Sequence, residues 1–336
     1  MEEKNVQKFV QLHTSCFNLP KIELHAHLNG SIRKKTLIEL LSKNDIEEFS
    51  NIGIPSSYDD AFKMFKISSK ILKDLNVIRR ITREMIEDWK NQNCIYLEIR
   101  TTPKEIGNTT KADYINAVLD EINDGNQKYS MKTRLILCID KAQSLEEAIK
   151  TYETYSNLNS PYKSLIVGVD YSGFEEKEHI SHTDLFALFN KFRSHGLGVT
   201  YHIGEIESYQ MVDFNVFRPD RLSHTYYLKD DDVQKIKDFK IPVEVCPTST
   251  LVVFRKYKYS DIHFSKYFDK TKTDNLVCLN TDDTMIFATN LSQEYFEIAM
   301  SHDLDIKDLQ NLLRSNVSFI FEKSETIRKE LLKLIG

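Results

Sequence analysis

Cysteine is sparse and dispersed in this 336-residue chain. Cys16, Cys94, Cys138, Cys246 and Cys278 are odd in number, and no two of them form a CxxC pair. This argues against a disulfide framework and against a cysteine zinc site, and it leads us to expect a reduced, cytoplasmic protein. Long apolar runs are missing too: nowhere do about 18 apolar residues follow one another, so no bilayer span is expected. The opening MEEKNVQKFVQLHTSCF has no basic segment followed by an apolar one, so it is not expected to act as a signal peptide. Neither sign of charge dominates. Forty-five basic against fifty acidic residues give a net charge of −5, with no block of like charge. Nucleic-acid polymers and membrane surfaces are therefore not expected partners. An anionic small molecule remains compatible, provided its countercharge is local.

What is present is an ordinary globular composition, 41% hydrophobic and 28% charged. Eight short segments rich in Val, Ile, Leu and Tyr recur: Ile22–Leu28, Cys94–Thr101, Arg134–Asp140, Leu165–Tyr171, Leu197–His202, Arg221–Tyr227, Pro242–Cys246 and Leu276–Asp282. Runs such as LILCID and LIVGVD are nearly continuous, as parallel strands covered on both faces should be. Helical patterns lie between them. Leu185, Leu188, Phe189 and Phe192 form one stripe closed by Gly196, and Leu309, Leu313 and Val317 form another. Eight βα units can close a (β/α)8 TIM barrel, and with no glycine- or proline-rich linker and no internal repeat we expect one α/β domain over residues 1–336. The first interval is abnormal: about sixty residues separate Leu28 from Cys94, against roughly thirty for a βα unit. A helical insertion at about 44–92 is expected, with Phe62, Phe65, Ile71 and Ile78 on apolar faces. It serves either as added packing or as a lid over the active face.

Ionisable residues gather at the strand ends. Strand one ends His25-Ala-His27, strand five ends at His202 with Glu205 just beyond, strand six carries His224, and strand eight ends Asp282-Asp283. In a barrel these ends open on one face, and alternating residues on a strand point the same way, so His25 and His27 can both face the axis. Taken singly, an HxH pair, a core histidine and an N-cap aspartate pair are ordinary features. Jointly placed, three imidazoles and a carboxylate form a donor set suited to Zn²⁺. Strand four ends Val169-Asp170-Tyr171-Ser172-Gly173 and offers no lysine to bridge two metals, so one Zn²⁺ per chain is expected. His13, His179, His182, His195, His263 and His302 fall in helices or loops and read as structural.

LPKIELHAHLNGSI, YHIGE, RLSHTYYL, VEVCPTS and LNTDD resemble, in order and at the right strand ends, the signatures of the adenosine/AMP deaminase family. HLNGSI, LEIRTTPK and FATNLSQEY resemble its adenosine deaminase-like branch, the N6-methyl-AMP deaminases. The zinc motifs of the cytidine-deaminase fold, HxE and PCxxC, are absent. The resemblance implies a zinc-dependent hydrolytic deaminase of 6-aminopurines with His25, His27, His202 and Asp282 as metal ligands. It also implies that Glu205 donates a proton to N1, that His224 and Asp283 flank the attacking water, and that the Gly173 amide meets N3. Zinc lowers the pKa of water, and protonation of N1 makes C6 electrophilic.

Substrate preference rests on fewer positions. Adenosine deaminases carry an aspartate where this chain has Asn29. A neutral amide can donate to a 5′-phosphate that a carboxylate would repel. Thr101, Thr102, Pro103 and Lys104 follow strand two and suit a phosphate, although Lys104 also reads as a solvated surface charge. Asp140 matches a position near the substrate. Three departures from the family pattern bear on the pocket: Phe174 replaces an acidic residue, Ser69 stands where the branch often has a substrate-reaching histidine, and CPTST at 246–250 replaces an asparagine-ending motif. The expected reaction is N6-methyl-AMP to IMP and methylamine in a monomeric protein. The alternatives are deamination of free adenosine and a catalytically silent barrel that binds a nucleotide or a protein.

Overall fold

The computed structural model describes residues 2–174 and 179–336. Eight parallel strands follow sequence order around one sheet: β1 (Lys21–His27), β2 (Cys94–Thr101), β3 (Lys132–Asp140), β4 (Ile166–Ser172), β5 (Gly198–Ile203), β6 (Arg221–His224), β7 (Val243–Val245) and β8 (Val277–Leu279). The ring closes at Asp282, which bridges Ala26. The His27 N–H donates to the Asp282 carbonyl at 3.0 Å, and the Asp282 N–H donates to the His25 carbonyl at 2.9 Å. With helices between the strands this is a (β/α)8 barrel, as the recurring apolar segments predict.

Three strands are shorter than their sequences suggest, β7 losing one residue at each end. β6 stops at His224 rather than running to 227, because His224 and Thr225 adopt φ of 66° and 64° and turn the chain out of the ladder. β8 stops at Leu279, and Asp282 beyond it sits at φ 60°. Left-handed non-glycine backbone is costly and persists where its surroundings over-determine it. Here it occurs at two residues of the imidazole and carboxylate cluster described below.

Alternation along the strands divides two environments. On β2, Leu97 and Ile99 join the buried apolar shell, while Glu98 and Arg100 reach partners across the barrel. Arg221 of β6 donates to Glu98 of β2 at 2.5 Å, and these strands are not neighbours, so the pair spans the interior. Arg221 also donates to Glu244 of β7 at 2.6 Å. Arg100 in turn meets Glu244, and lies 3.3 Å from Asp170 of β4. All five side chains are fully buried. The barrel interior is therefore an ion-pair network rather than layers of branched aliphatics, and the apolar core lies between strands and helices.

The outer helices follow their apolar stripes. The helix His182–Ser194 buries Leu185, Leu188, Phe189 and Phe192, with Gly196 beyond it at φ 86°. Between β1 and β2 come Lys34–Leu40, Lys43–Ile52, Tyr58–Ser68 and Leu75–Asn91. Leu75–Asn91 packs along Lys111–Lys128, so it belongs to the outer ring. Tyr58–Ser68 is capped by Ser57, whose hydroxyl accepts the Asp60 N–H. No described helix is long and apolar enough to cross a membrane.

Candidate active site

The HAH spacing on an extended strand brings two imidazoles to one face. His25 Nε2 and His27 Nε2 lie 3.2 Å apart, and His202 Nε2 of β5 is 3.3 Å from His27 Nε2. Asp282 Oδ1 stands 3.3 Å from His25 Nε2 and 3.7 Å from His27 Nε2. The other ring nitrogens of two of these histidines are engaged: His25 Nδ1 meets Glu244 Oε2 at 2.9 Å, and His202 Nδ1 meets Asp170 Oδ1 at 3.0 Å. Each carboxylate accepts a hydrogen bond from Nδ1–H and so leaves the Nε2 lone pair facing inward. His27 Nε2 carries at most one proton, which cannot serve both neighbours and Asp282 together.

Converging lone pairs beside a carboxylate ask for a cation. Bonds of about 2.0–2.1 Å at the tetrahedral angle imply ligand-to-ligand edges of roughly 3.3 Å, so these side chains fit Zn²⁺. Burial, then the nearby His25, pushes His27 down to about 3, and burial lowers His202 as well. His25 moves the other way: burial and Arg100 pull it down, but hydrogen bonds to Asp282 and Glu244 outweigh them. Burial also opposes ionisation of Asp282, yet the surrounding imidazoles hold its carboxyl well below the usual range. Ser249, in the CPTST segment, donates to Asp282 Oδ2 at 2.7 Å and fixes that carboxylate.

Around this cluster stand the remaining chemical groups. Glu205 Oε1 lies 3.6 Å from His224 Nε2. Burial, against the opposing pull of Asp282 and with the other imidazoles adding repulsion, holds the His224 pKa well below the usual imidazole range and so favours the neutral ring. Asp283 is pushed well above the carboxylate range by burial, then by adjacent Asp282, then by Glu205. Its Oδ1 is buried without a hydrogen-bond partner among the described residues, and so is Asn29 Oδ1. Gly30 makes room for Asp283: a Cβ at position 30 would stand 1.7 Å from Asp283 Oδ1.

The cluster opens into a cavity of about 390 Å³. His27, Asn29, Ser69, Thr101, Thr102, Asp140, Gly173, His202, Glu205, His224, Asp282 and Asp283 all line it. His25 lies fully buried behind them, and Pro103 and Lys104 stand outside the wall. Lys104 is partly buried, and that burial lowers its pKa. Gly173 (φ 112°) packs on Asp140, whose Oδ1 would be 2.8 Å from an added Cβ. The Thr101 hydroxyl is 2.6 Å from the Tyr114 hydroxyl, while the Ser69 hydroxyl donates to the Lys66 carbonyl at 2.9 Å. Larger surface hollows exist, one of about 980 Å³ beside Lys237 and Lys270, but none of the His, Cys and Asp clusters among the described residues lies in it.

Sequence reasoning left two groups unassigned here, the first within the segment it read as either packing or a lid. The helix Tyr58–Ser68 contributes Tyr58, Phe62, Phe65 and Lys66 to the wall. Phe174, one of the departures noted above, stacks on Tyr58 at 5.1 Å and packs at 4.8 Å from Phe62. The carboxylates behind the histidines, Asp170 and Glu244, were the second omission. Their signal was a charge inside an otherwise apolar strand, in LIVGVDYS and IPVEVCP, where a buried ion needs a partner.

Comparison with known proteins adds the family. A sequence model described as adenosine deaminase matches residues 20–335. The N6-mAMP deaminase of Arabidopsis thaliana is 33% identical, covering 95% of this chain and 96% of that protein. An adenosine deaminase-like protein of Caenorhabditis elegans is 30% identical, covering 94% of this chain and 84% of its own length. The crystal structure of Arabidopsis ADAL complexed with IMP superposes with a TM-score of 0.81 at 29% identity, covering 95% of this chain and 97% of that one.

Proposed function

Because the chain belongs to the adenosine deaminase family, we propose that it hydrolyses 6-aminopurine nucleotides, converting N6-methyl-AMP and water to IMP and methylamine. The observation that carries this reading is the convergence of His25, His27, His202 and Asp282 with Glu205, His224 and Asp283 on one cavity that is also lined by a neutral Asn29. The comparisons support the nucleotide, since an Arabidopsis relative is named for N6-mAMP and Arabidopsis ADAL was crystallised with IMP.

His25, His27, His202 and Asp282 would hold one Zn²⁺ per chain, which when bound supplies Lewis-acid activation of water. The protein's own groups do the rest. His224, neutral in its buried setting, accepts the proton of the attacking water. Asp283, whose carboxyl is pushed up by burial and by Asp282, faces N7 and aligns the attack on C6. Glu205 delivers a proton to N1, which removes the aromatic resistance to addition, and the Gly173 amide holds N3. The proton that His224 took from water passes to the departing nitrogen, Glu205 takes back a proton from the C6 hydroxyl, and the tetrahedral adduct collapses to IMP and methylamine. Glu244 and Asp170 keep two imidazoles in the tautomer that presents Nε2. The segment at 44–92, through Tyr58, Phe62 and Phe65, roofs the site within a single domain. Five free, buried cysteines suit a reducing compartment, and we assign the protein to the cytoplasm.

Turnover of N6-methyl-AMP, AMP, adenosine and N6-methyladenosine, compared side by side with zinc-loaded protein, tests the proposal. The alkylated monophosphate should lead. Preference for the nucleosides would make this an adenosine deaminase and remove the role of Asn29. The variant Asn29→Asp sets a carboxylate against the phosphate, and kcat/KM for nucleotide relative to nucleoside should fall on the order of tenfold to a hundredfold. An unchanged ratio would refute the phosphate contact. Gly30→Ala should displace Asp283 and lower kcat by about a hundredfold, since misplacement of about 1 Å costs that much. Thermal melting should change far less than kcat, and an alanine variant with full kcat would contradict the assigned position of Asp283.

A further inference from the structure

His263 takes no part in the steps above and does not line the cavity. It is buried at the start of a short turn, His263–Lys266, that follows the loop after β7. Its ring stands edge-on to Tyr226 at 5.6 Å and to Tyr267 at 6.1 Å. Nδ1 is buried with no hydrogen-bond partner among the described residues, while Nε2 makes a short contact with the backbone carbonyl of His224. A carbonyl only accepts, so Nε2 carries the proton and the tautomer is fixed.

That carbonyl belongs to the residue where β6 leaves the sheet. The β6–β7 ladder pairs Leu222 with Val243 and Ser223 with Glu244, and reaches no further. His224 and Thr225 then run left-handed. On the β5 side the turn is tied by the Thr225 N–H to the Ile203 carbonyl at 2.8 Å and by the Tyr227 N–H to the Gly204 carbonyl at 2.9 Å. The His224 carbonyl itself accepts a hydrogen bond from His263. Backbone held in so sparsely populated a conformation relaxes when a constraint is removed.

We propose that His263 is a positioning residue: by donating Nε2–H to the His224 carbonyl it locks the left-handed backbone that aims the His224 imidazole at the metal cluster. This rests on the deaminase reading above. The test compares His263→Phe, which keeps the ring and loses the donor, with His263→Gln, whose amide N–H can reach the same carbonyl. In zinc-loaded protein the Phe variant should lose about 10- to 100-fold in kcat. KM, and the Kd for IMP measured by calorimetry, should hardly move, because the role assigned to His224 is toward the attacking water. The Gln variant should recover most of the lost turnover. Full kcat in the Phe variant, equal losses in both variants, or a Phe variant that no longer folds would each overturn the proposal. The last would show that the contact serves the fold. A parent protein inactive on every 6-aminopurine would overturn the functional reading and this inference with it, whereas variants that match an active parent would overturn this inference alone.

Discussion

Glu205→Gln should reduce kcat by about 10²- to 10⁴-fold, the span of a positioned general acid, while KM changes little. The substitution is nearly isosteric and keeps the side chain beside His224, 3.6 Å away in the parent. It removes only the transferable proton. An interaction used in the transition state and not in the ground state lowers kcat and kcat/KM together. Steady-state kinetics on N6-methyl-AMP, with zinc content measured on the same sample, decide the matter. Turnover that survives within tenfold would mean that N1 receives its proton from another group.

The second large effect is on stability. Glu244 is fully buried between two fully buried guanidiniums, accepting from Arg221 Nε at 2.6 Å and meeting Arg100, while its Oε2 takes the His25 ring at 2.9 Å. Burial alone would favour the neutral acid, but Arg100, then Arg221, hold the Glu244 carboxyl well below the usual carboxylate range. Glu244→Gln leaves those cations facing a neutral amide. Breaking one partner of a buried ion network costs about 3–5 kcal/mol, because the remaining charge stays desolvated and uncompensated. The same change loosens the orientation of His25 and should weaken zinc affinity by about 10- to 100-fold. Denaturant unfolding of the metal-free protein and a competitive zinc titration measure the two effects separately. A variant within about 1 kcal/mol of the parent would show that the amide re-pairs inside the barrel.

The two halves of this site differ in how far the sequence reveals them. His25 and His27 could be placed on one face because a strand alternates with a period of two, and His202, Asp282 and Asp283 because parallel strands in a barrel all end on the same face. Those are local rules, and they needed no coordinates. Glu244 escaped notice since its meaning depends on partners far away in sequence: Arg100 is 144 positions from it and His25 is 219. Lys104 is the converse case: its place just after β2 suggested the cavity, whose wall in the structure includes Thr101 and Thr102 but not the partly buried Lys104.

Local pattern thus determined the eight strands, the barrel and the identity of the residues at its open end, because hydrophobic periodicity and strand direction are properties of short segments. Tertiary structure decided the rest. It placed ion pairs rather than aliphatic layers inside the barrel, ended β6 at a left-handed His224, brought Phe174 onto Tyr58 and Phe62, and set His263 against the His224 carbonyl. Each of these depends on which distant segments meet, and the energy of a buried charge or carbonyl is set by those neighbours rather than by its own stretch of chain.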